Sequence, residues 1–302
     1  MAIETTAVRS TAPGRRPGAR PGATRPGGRR ATRRSGASVA LHAGLLAASF
    51  VAVFPIGWVL VTSFKPLADV YNTKIISHFT VANYGDILDS DFPRWFLNSV
   101  AVAGLTMVVG VFLSATSGYA MSRFNFPGKR SLMWTFLVTQ MFPMAILIVP
   151  IYKIMSSLQL LDTYGSLVLA YSTVAVPFCS YMLKGYFDTI PIEIDEAGRV
   201  DGLTPFGTFW RLAVPLARPG LAVTAFYTFL TAWGEVAYAS KFMISQDNYT
   251  LAFGMQTYVG QFNQNWHLLA AASVLVTVPA MLVFYLVQRW LVAGLTAGGA
   301  KG

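Results

Sequence analysis

Side chains capable of covalent or metal chemistry are few and scattered. The 302-residue chain has one cysteine, Cys179, and three histidines, His42, His78 and His267, far apart along it. That excludes a disulfide framework and a cysteine zinc cluster, and it leaves little for a metal site. No Gly-x-x-x-x-Gly-Lys-[Ser/Thr] phosphate loop is present, and no defensible nucleophile–base arrangement. The chain by itself is therefore expected not to be an enzyme and to carry no cofactor. What the sequence offers is recognition chemistry. Between Ile190 and Leu216 the acids Glu193, Asp195, Glu196 and Asp201 stand with Arg199 and Arg211, beside Phe206, Phe209 and Trp210.

That stretch has the punctuation of two short helices. Pro191 suits a first helical turn, and Glu193, Asp195 and Glu196 then lie near its positive end. Gly202 reads as a C-terminal cap, and Thr204 with Pro205 as the N-cap and first residue of a second helix. On that second helix Phe206, Phe209 and Trp210 fall at i, i+3 and i+4, one aromatic stripe. Two readings stay open: the stripe packs back on the protein's own body, or it anchors the loop in a groove of a soluble partner.

The elements that must carry this loop follow from composition. Hydrophobic residues make up 54% of the chain and charged residues 12%, against about 25% charged in an ordinary globular domain; mean hydropathy is +0.50. The chain is thus an all-α integral membrane protein. A helix needs about 20 apolar residues to cross the ~30 Å hydrocarbon core. Six segments qualify, at about 39–64, 96–121, 131–152, 164–183, 219–240 and 267–288. No run of short alternating segments suggests a β-barrel. Pro55, Pro143, Pro150 and Pro177 fall inside spans and read as packing kinks.

The formal net charge of +10 resides in a tail: residues 1–40 hold nine arginines and one acid, Glu4. This Arg-Pro-Gly-rich segment cannot bury enough surface to order itself, so residues 1–38 are expected to be disordered. The apolar run after it is too long for a signal peptide's h-region. The tail arginines suit the anionic inner leaflet, with no need of nucleic acid. With the tail inside, 18 basic residues lie on the inner side and five (Lys65, Lys74, Arg94, Lys153 and Lys241) on the outer. Both termini are then cytoplasmic, and 184–218 is a cytoplasmic loop.

Two further features face the other side. Glu235 is the sole acid well inside an expected span; it either reaches water or Lys241 from the helix end, or contacts a substrate in a cavity. Segment 241–266 holds seven side-chain amides, including Asn248, Gln256, Gln261 and Asn263, interleaved with aromatics such as Tyr249. Such a mixture matches sugar hydroxyls and ring faces, and also an ordinary solvated loop.

Glu196-Ala197-Gly198, then Asp201-Gly202, then Pro215-Leu216, resembles the EAA loop of ABC importer permeases. The family pattern is Glu-Ala-Ala-x-x-Asp-Gly-Ala, from which this chain departs at Gly198 and Leu203. From about residue 40 onward, Thr231–Val236, Tyr249–Gln256 and Gln288–Gly302 resemble the smaller permease subunit of maltose/maltodextrin importers. The resemblance implies a six-helix type I importer permease in the cell membrane. It implies a second homologous permease, two ATP-binding subunits that hold the ATP and Mg, and an extracytoplasmic sugar-binding protein. Glu196, Ala197, Gly198, Asp201, Gly202, Phe206, Phe209, Trp210 and Arg211 would form the coupling contact with the ATPase. Gly298, Gly299 and Lys301 of the C-terminal tail would reach between the two ATPase subunits. Segment 241–266 would approach the binding protein. The substrate would be maltose, maltodextrin or a related α-glucoside such as trehalose. The rival class, a self-sufficient secondary transporter or channel, would need intramembrane charges or an inverted repeat, and neither is visible.

Overall fold

The structure, a computed structural model, describes residues 29–74, 78–260 and 264–299, with side chains from 38 to 290 within those ranges. Two units are distinguished, residues 1–54 and 55–302. Helix α1 (Arg29–Ser63) starts ten residues before the expected edge of the tail. No proline falls between residues 29 and 54, and a lone glycine such as Gly36 costs a helix only about 1 kcal/mol, so the helix that the apolar run demands extends back past it. From Val39 to Phe54 apolar residues run on every side of the helix, the composition of a membrane-crossing helix.

In the second unit a short helix α2 (Ala82–Leu88) precedes α3 (Phe92–Arg123). At 1.5 Å per residue the 32 residues of α3 run about 48 Å, well beyond the hydrocarbon core. An upright helix of that length has residues to spare outside the core, where loops can attach. Helix α4 (Lys129–Thr139) is followed by α5 (Met144–Ser157), bent 109° away from it. The expected straight span 131–152 is thus broken at residues 140–143. Pro143 cannot continue a helix and pushes Phe142 out of the α region, whereas Pro150 is accommodated inside α5.

Helix α6 (Tyr164–Asp188) lies along α3, and this pair is the centre of the unit. Small residues let the two backbones approach, as is common between membrane helices. A Cβ placed on Gly118 would lie 3.0 Å from both the Ser180 carbonyl and the Lys184 nitrogen, and Ser117 bonds Ser180 at 2.6 Å. Three short helices follow: α7 (Glu193–Val200), α8 (Pro205–Thr208) and α9 (Val214–Leu216). Helix α10 (Arg218–Trp233) returns against α3 and α6, bent 83° from the preceding segment. It stops seven residues short of the expected 240, because the chain turns at Gly234. Two more short helices, α11 (Ala239–Phe242) and α12 (Leu251–Gly254), lead to α13 (Trp266–Gly299). Among the described residues four helices are long and apolar enough to span a membrane, or up to six if each bent pair counts as one span.

The buried apolar residues fall into two clusters. The larger joins α3, α6, α10 and α13 to the segment after α10; the smaller, around Tyr119, Phe187 and Phe209, lies where α7–α9 meet α3 and α6.

Candidate functional site

The α7–α9 segment is built as two arms. Gly202, at φ +83°, reverses the chain after α7, and the Leu203 amide reaches back to the Gly198 carbonyl at 2.9 Å. Thr204 Oγ1 accepts from the Gly207 amide at 3.1 Å and Pro205 opens α8, the arrangement that the sequence predicts. The second arm departs from expectation. Residues 209–213 wind as a wider i→i+5 turn, which breaks the i, i+3, i+4 register of the aromatic stripe. Phe209 turns inward, 3% exposed, with its ring 5.0 Å from that of Tyr119. Phe206 and Trp210 remain 64% and 56% exposed and lie nearly parallel, 9° apart. Each reading of the stripe thus describes part of it. Trp210 also borders an apolar groove between α3 and α10, with Val111, Ala115, Val214 and Leu221.

Helix α7 has two unlike faces. Glu193, Glu196, Ala197 and Arg199 are exposed, as are Asp201 and Gly202 just beyond it and Arg211 on the second arm; Val200, at its end, is 88% exposed. Gly198 is buried beneath the second arm: a Cβ there would meet Leu212 Cδ1 at 2.8 Å and Thr208 Oγ1 at 3.1 Å. Its smallness lets the arms touch. Asp195, predicted only as an acid near the helix's positive end, is 2% exposed. It pairs with Arg123 Nε at 2.7 Å and accepts from the Tyr119 hydroxyl. No local pattern marks this pair, because Arg123 precedes Asp195 by 72 positions.

At the far end of α3, the segment 234–260 is tied down rather than loose. Asn98 donates to the carbonyls of Asp247 and Tyr249, at 2.7 and 2.9 Å. Trp95 Nε1 donates to Gln246 O at 3.0 Å, and Ser99 accepts from the Leu251 amide at 2.7 Å. Of the amides considered for sugar contact, Asn248 donates to the Asp162 carbonyl at 2.9 Å. Tyr249 is half-buried against Trp95 and Phe253, and Gln256 is exposed. Gln261 and Asn263 lie outside the described residues, as does Lys301; Gly298 and Gly299 are the last residues of α13.

Glu235 is not inside α10, and its carboxylate is taken by backbone amides rather than by Lys241. It lies two residues past α10, buried, and accepts from the amides of Tyr238 at 2.8 Å and Ala239 at 3.2 Å. Its carboxylate caps α11, a structural task for which an acid is suited. Lys65, counted above as an outer cation, is 2% exposed. It donates to the carbonyls of Asn72 and Lys74 at 3.0 and 2.7 Å and stands over the Trp58 ring.

Asp162, in the link between α5 and α6, clasps the same far-end segment. Its carboxylate accepts from the Ile244 and Ser245 amides, at 2.9 and 3.0 Å, and from the Ser245 hydroxyl. Desolvation pushes its pKa up, but the hydrogen bonds from Ser245, Ile244 and Asn248 together outweigh it and hold the pKa below the ordinary 3.8. A depressed carboxylate stabilises above the unfolded value and loses that contribution as pH falls through the folded one. Asp162→Asn is therefore expected to speed amide exchange at Ile244 and Ser245 at neutral pH. The difference from wild type should narrow below about pH 4; a difference that persists unchanged in acid would remove the carboxylate from this role.

Apolar helices that carry a half-exposed helical knob at one end and a tethered segment at the other define a polytopic membrane protein. The chain belongs to the family of binding-protein-dependent transport system inner membrane components, whose model matches residues 107–297. That family supplies the membrane component of ABC importers, not an enzyme. The chain is 37% identical over 283 residues to the maltose/maltodextrin transport system permease protein MalG of Vibrio vulnificus (strain YJ016), covering 87% of this chain and 95% of the relative. It is 35% identical over 255 residues to the trehalose transport system permease protein SugB of Mycobacterium tuberculosis (strain CDC 1551 / Oshkosh), covering 83% and 93%. Among solved structures it matches a chain of a bacterial ABC transporter that imports alginate, with a TM-score of 0.75, 21% identity, and 88% and 99% coverage. The fold is thus that of the ABC importer permeases.

Proposed function

We propose that this chain is one of two membrane subunits of an ATP-driven importer for a small α-glucoside, maltose, maltodextrin or trehalose. Relatives named for those sugars support the substrate class. The observation that carries the coupling role is the exposed face of α7 and α8. Ala197, Val200 and Phe206 are exposed apolar side chains on a segment that also exposes Glu193, Glu196, Asp201, Arg199 and Arg211, above a base buried against α3 and α6. Exposed apolar residues ringed by charges of both signs suit an apolar groove with complementary charged edges, in the helix-in-groove mode. The groove belongs to an ATP-binding subunit, and ATP and Mg are held there, not on this chain. The excess of lysine and arginine on the α7 side supports a cytoplasmic position for that side and for both termini. The tethered segment 234–260 then faces a sugar-loaded binding protein, and closure of the ATP-binding subunits pushes on α7.

The test is ATP hydrolysis by vesicles that hold this chain, a homologous permease and the ATP-binding subunits. Binding protein loaded with maltose or trehalose is expected to stimulate hydrolysis. Glu196→Lys, which reverses a rim charge without touching the buried base, is expected to cut assembly or stimulation by about tenfold or more. Sugar accumulation by this chain alone, driven by an ion gradient, would put the secondary-transporter reading in its place.

A further inference from the structure

Tyr119 and Arg123 lie in the last two turns of α3, and both arms of the α7–α9 segment converge on them. The first arm is held by charge. Arg123 Nε pairs with Asp195 at 2.7 Å while its Nη2 donates to the Ile190 carbonyl at 2.9 Å. One guanidinium thus grips the chain on both sides of Pro191, before α7 and within it. The second Asp195 oxygen takes the Tyr119 hydroxyl. The second arm is held by packing: the Tyr119 ring contacts Phe209 at 5.0 Å and Phe187 at 5.5 Å between centroids. The side chains of Arg123 and Asp195 are only 6% and 3% exposed.

A buried ion pair is a poor way to gain stability, since desolvation offsets most of the attraction. Fixity comes from two directed bonds beside it, the Tyr119 hydroxyl to Asp195 and Arg123 Nη2 to the Ile190 carbonyl, while the Arg123–Asp195 contact adds attraction rather than direction. Here that fixity joins a surface helix to the longest helix of the second unit whose side chains are all described. We infer that Tyr119, Arg123 and Asp195 are positioning residues that make α7 and the end of α3 move as one body. A load on the exposed face of α7 then reaches α3, and through the close Gly118 contact α6, instead of being absorbed as bending of the loop. The inference rests on the proposed coupling role of α7 and adds how the push is transmitted.

Two measurements test it, both on the full chain in lipid. The first is the width of the spin-label distance distribution between Val200→Cys and Leu113→Cys, in a Cys179→Ser background, with the permease alone. A narrow distribution is expected, and a broad one in Arg123→Met/Asp195→Leu, a pair chosen so that no charge is left buried alone. A distribution already broad without those changes, or unaltered by them, overturns the inference whatever the partner is. The second is the ratio of sugar transported to ATP hydrolysed in the assembled transporter. Tyr119→Phe and the double variant are expected to assemble and to hydrolyse ATP within about twofold of wild type while transport falls about tenfold or more. Asp195→Glu should recover part of the ratio. Transport and hydrolysis falling together, or neither falling, means a purely structural role and overturns the inference. If no ATPase associates with the wild-type chain, the proposed function fails while the distance measurement still decides the latch.

Discussion

Phe206→Ala is expected to leave the chain folded and to weaken its association with an ATP-binding subunit by about a hundredfold, a loss of the size seen at aromatic anchors. Phe209→Ala is expected to do the reverse. The two residues are three positions apart and identical in type, so composition gives no reason to separate them. The wider turn at 209–213 does so. Phe206 is 64% exposed and can shed its ring without opening a cavity, whereas Phe209 is 3% exposed and fills the space between Tyr119 and Phe187. Its truncation should cost about 3–5 kcal/mol of local stability. Detergent-extracted protein should therefore melt earlier for Phe209→Ala and at the wild-type temperature for Phe206→Ala, with the order inverted when affinity is measured. Equal loss of melting temperature in both would mean that Phe206 belongs to the body. Wild-type affinity in Phe206→Ala would mean that the tip is not what docks.

The contrast shows where a linear sequence is readable and where it is not. The positions of the four long apolar helices were legible because about 20 apolar residues in a row have few other uses. Caps were legible too: Gly202 and Thr204–Pro205 act through neighbours within five residues. The bend after Thr139 was not, since apolar residues continue on both sides of it, although Pro143 stands at the break. Glu235 was misplaced for the same reason. Val236, Ala237 and Tyr238 keep the hydropathy high after α10 has ended, which disguises a cap as an intramembrane acid. The Asp195–Arg123 pair had no signature at all, because its meaning lies in a partner on another helix.

Both candidate docking surfaces are fastened to α3. Trp95, Asn98 and Ser99 hold the far-end segment; Tyr119 and Arg123 hold α7. From Asn98 to Tyr119 the helix rises ~32 Å, about the thickness of the hydrocarbon core. Proteins bound at either end would thus act on one rod, and in the proposed importer that rod joins the sugar-binding protein to the ATPase.

The far-end fastening yields the sharpest steric prediction. Gly254 lies on the indole of Trp95 so closely that an added Cβ would be 2.3 Å from Cε3 and 2.4 Å from Cδ2. Trp95 has nowhere to retreat: it is 2% exposed, its Nε1 is committed to Gln246 O at 3.0 Å, and Tyr249 and Tyr258 flank the ring. Gly254→Ala must therefore lift α12 or tilt the indole, and overpacking of this kind costs about 1–3 kcal/mol, with more expected against so rigid a neighbour. Lifting α12 would also strain the bond from the Leu251 amide to Ser99 and the Asn98 bond to Tyr249 O. Faster amide exchange at Leu251 and Gly254 is expected, with exchange along α6 unchanged. Gly254→Leu should go further and release 244–258 to proteolysis. Trp95→Phe, whose smaller ring lacks Cε3, the atom nearest the added Cβ, gives up the bond to Gln246 O but should recover part of the steric loss when combined with Gly254→Ala, giving a favourable coupling in the double-mutant cycle. If Gly254→Ala exchanges like wild type, the glycine is not what seats α12 on α3, and the far-end surface is held by its hydrogen bonds alone.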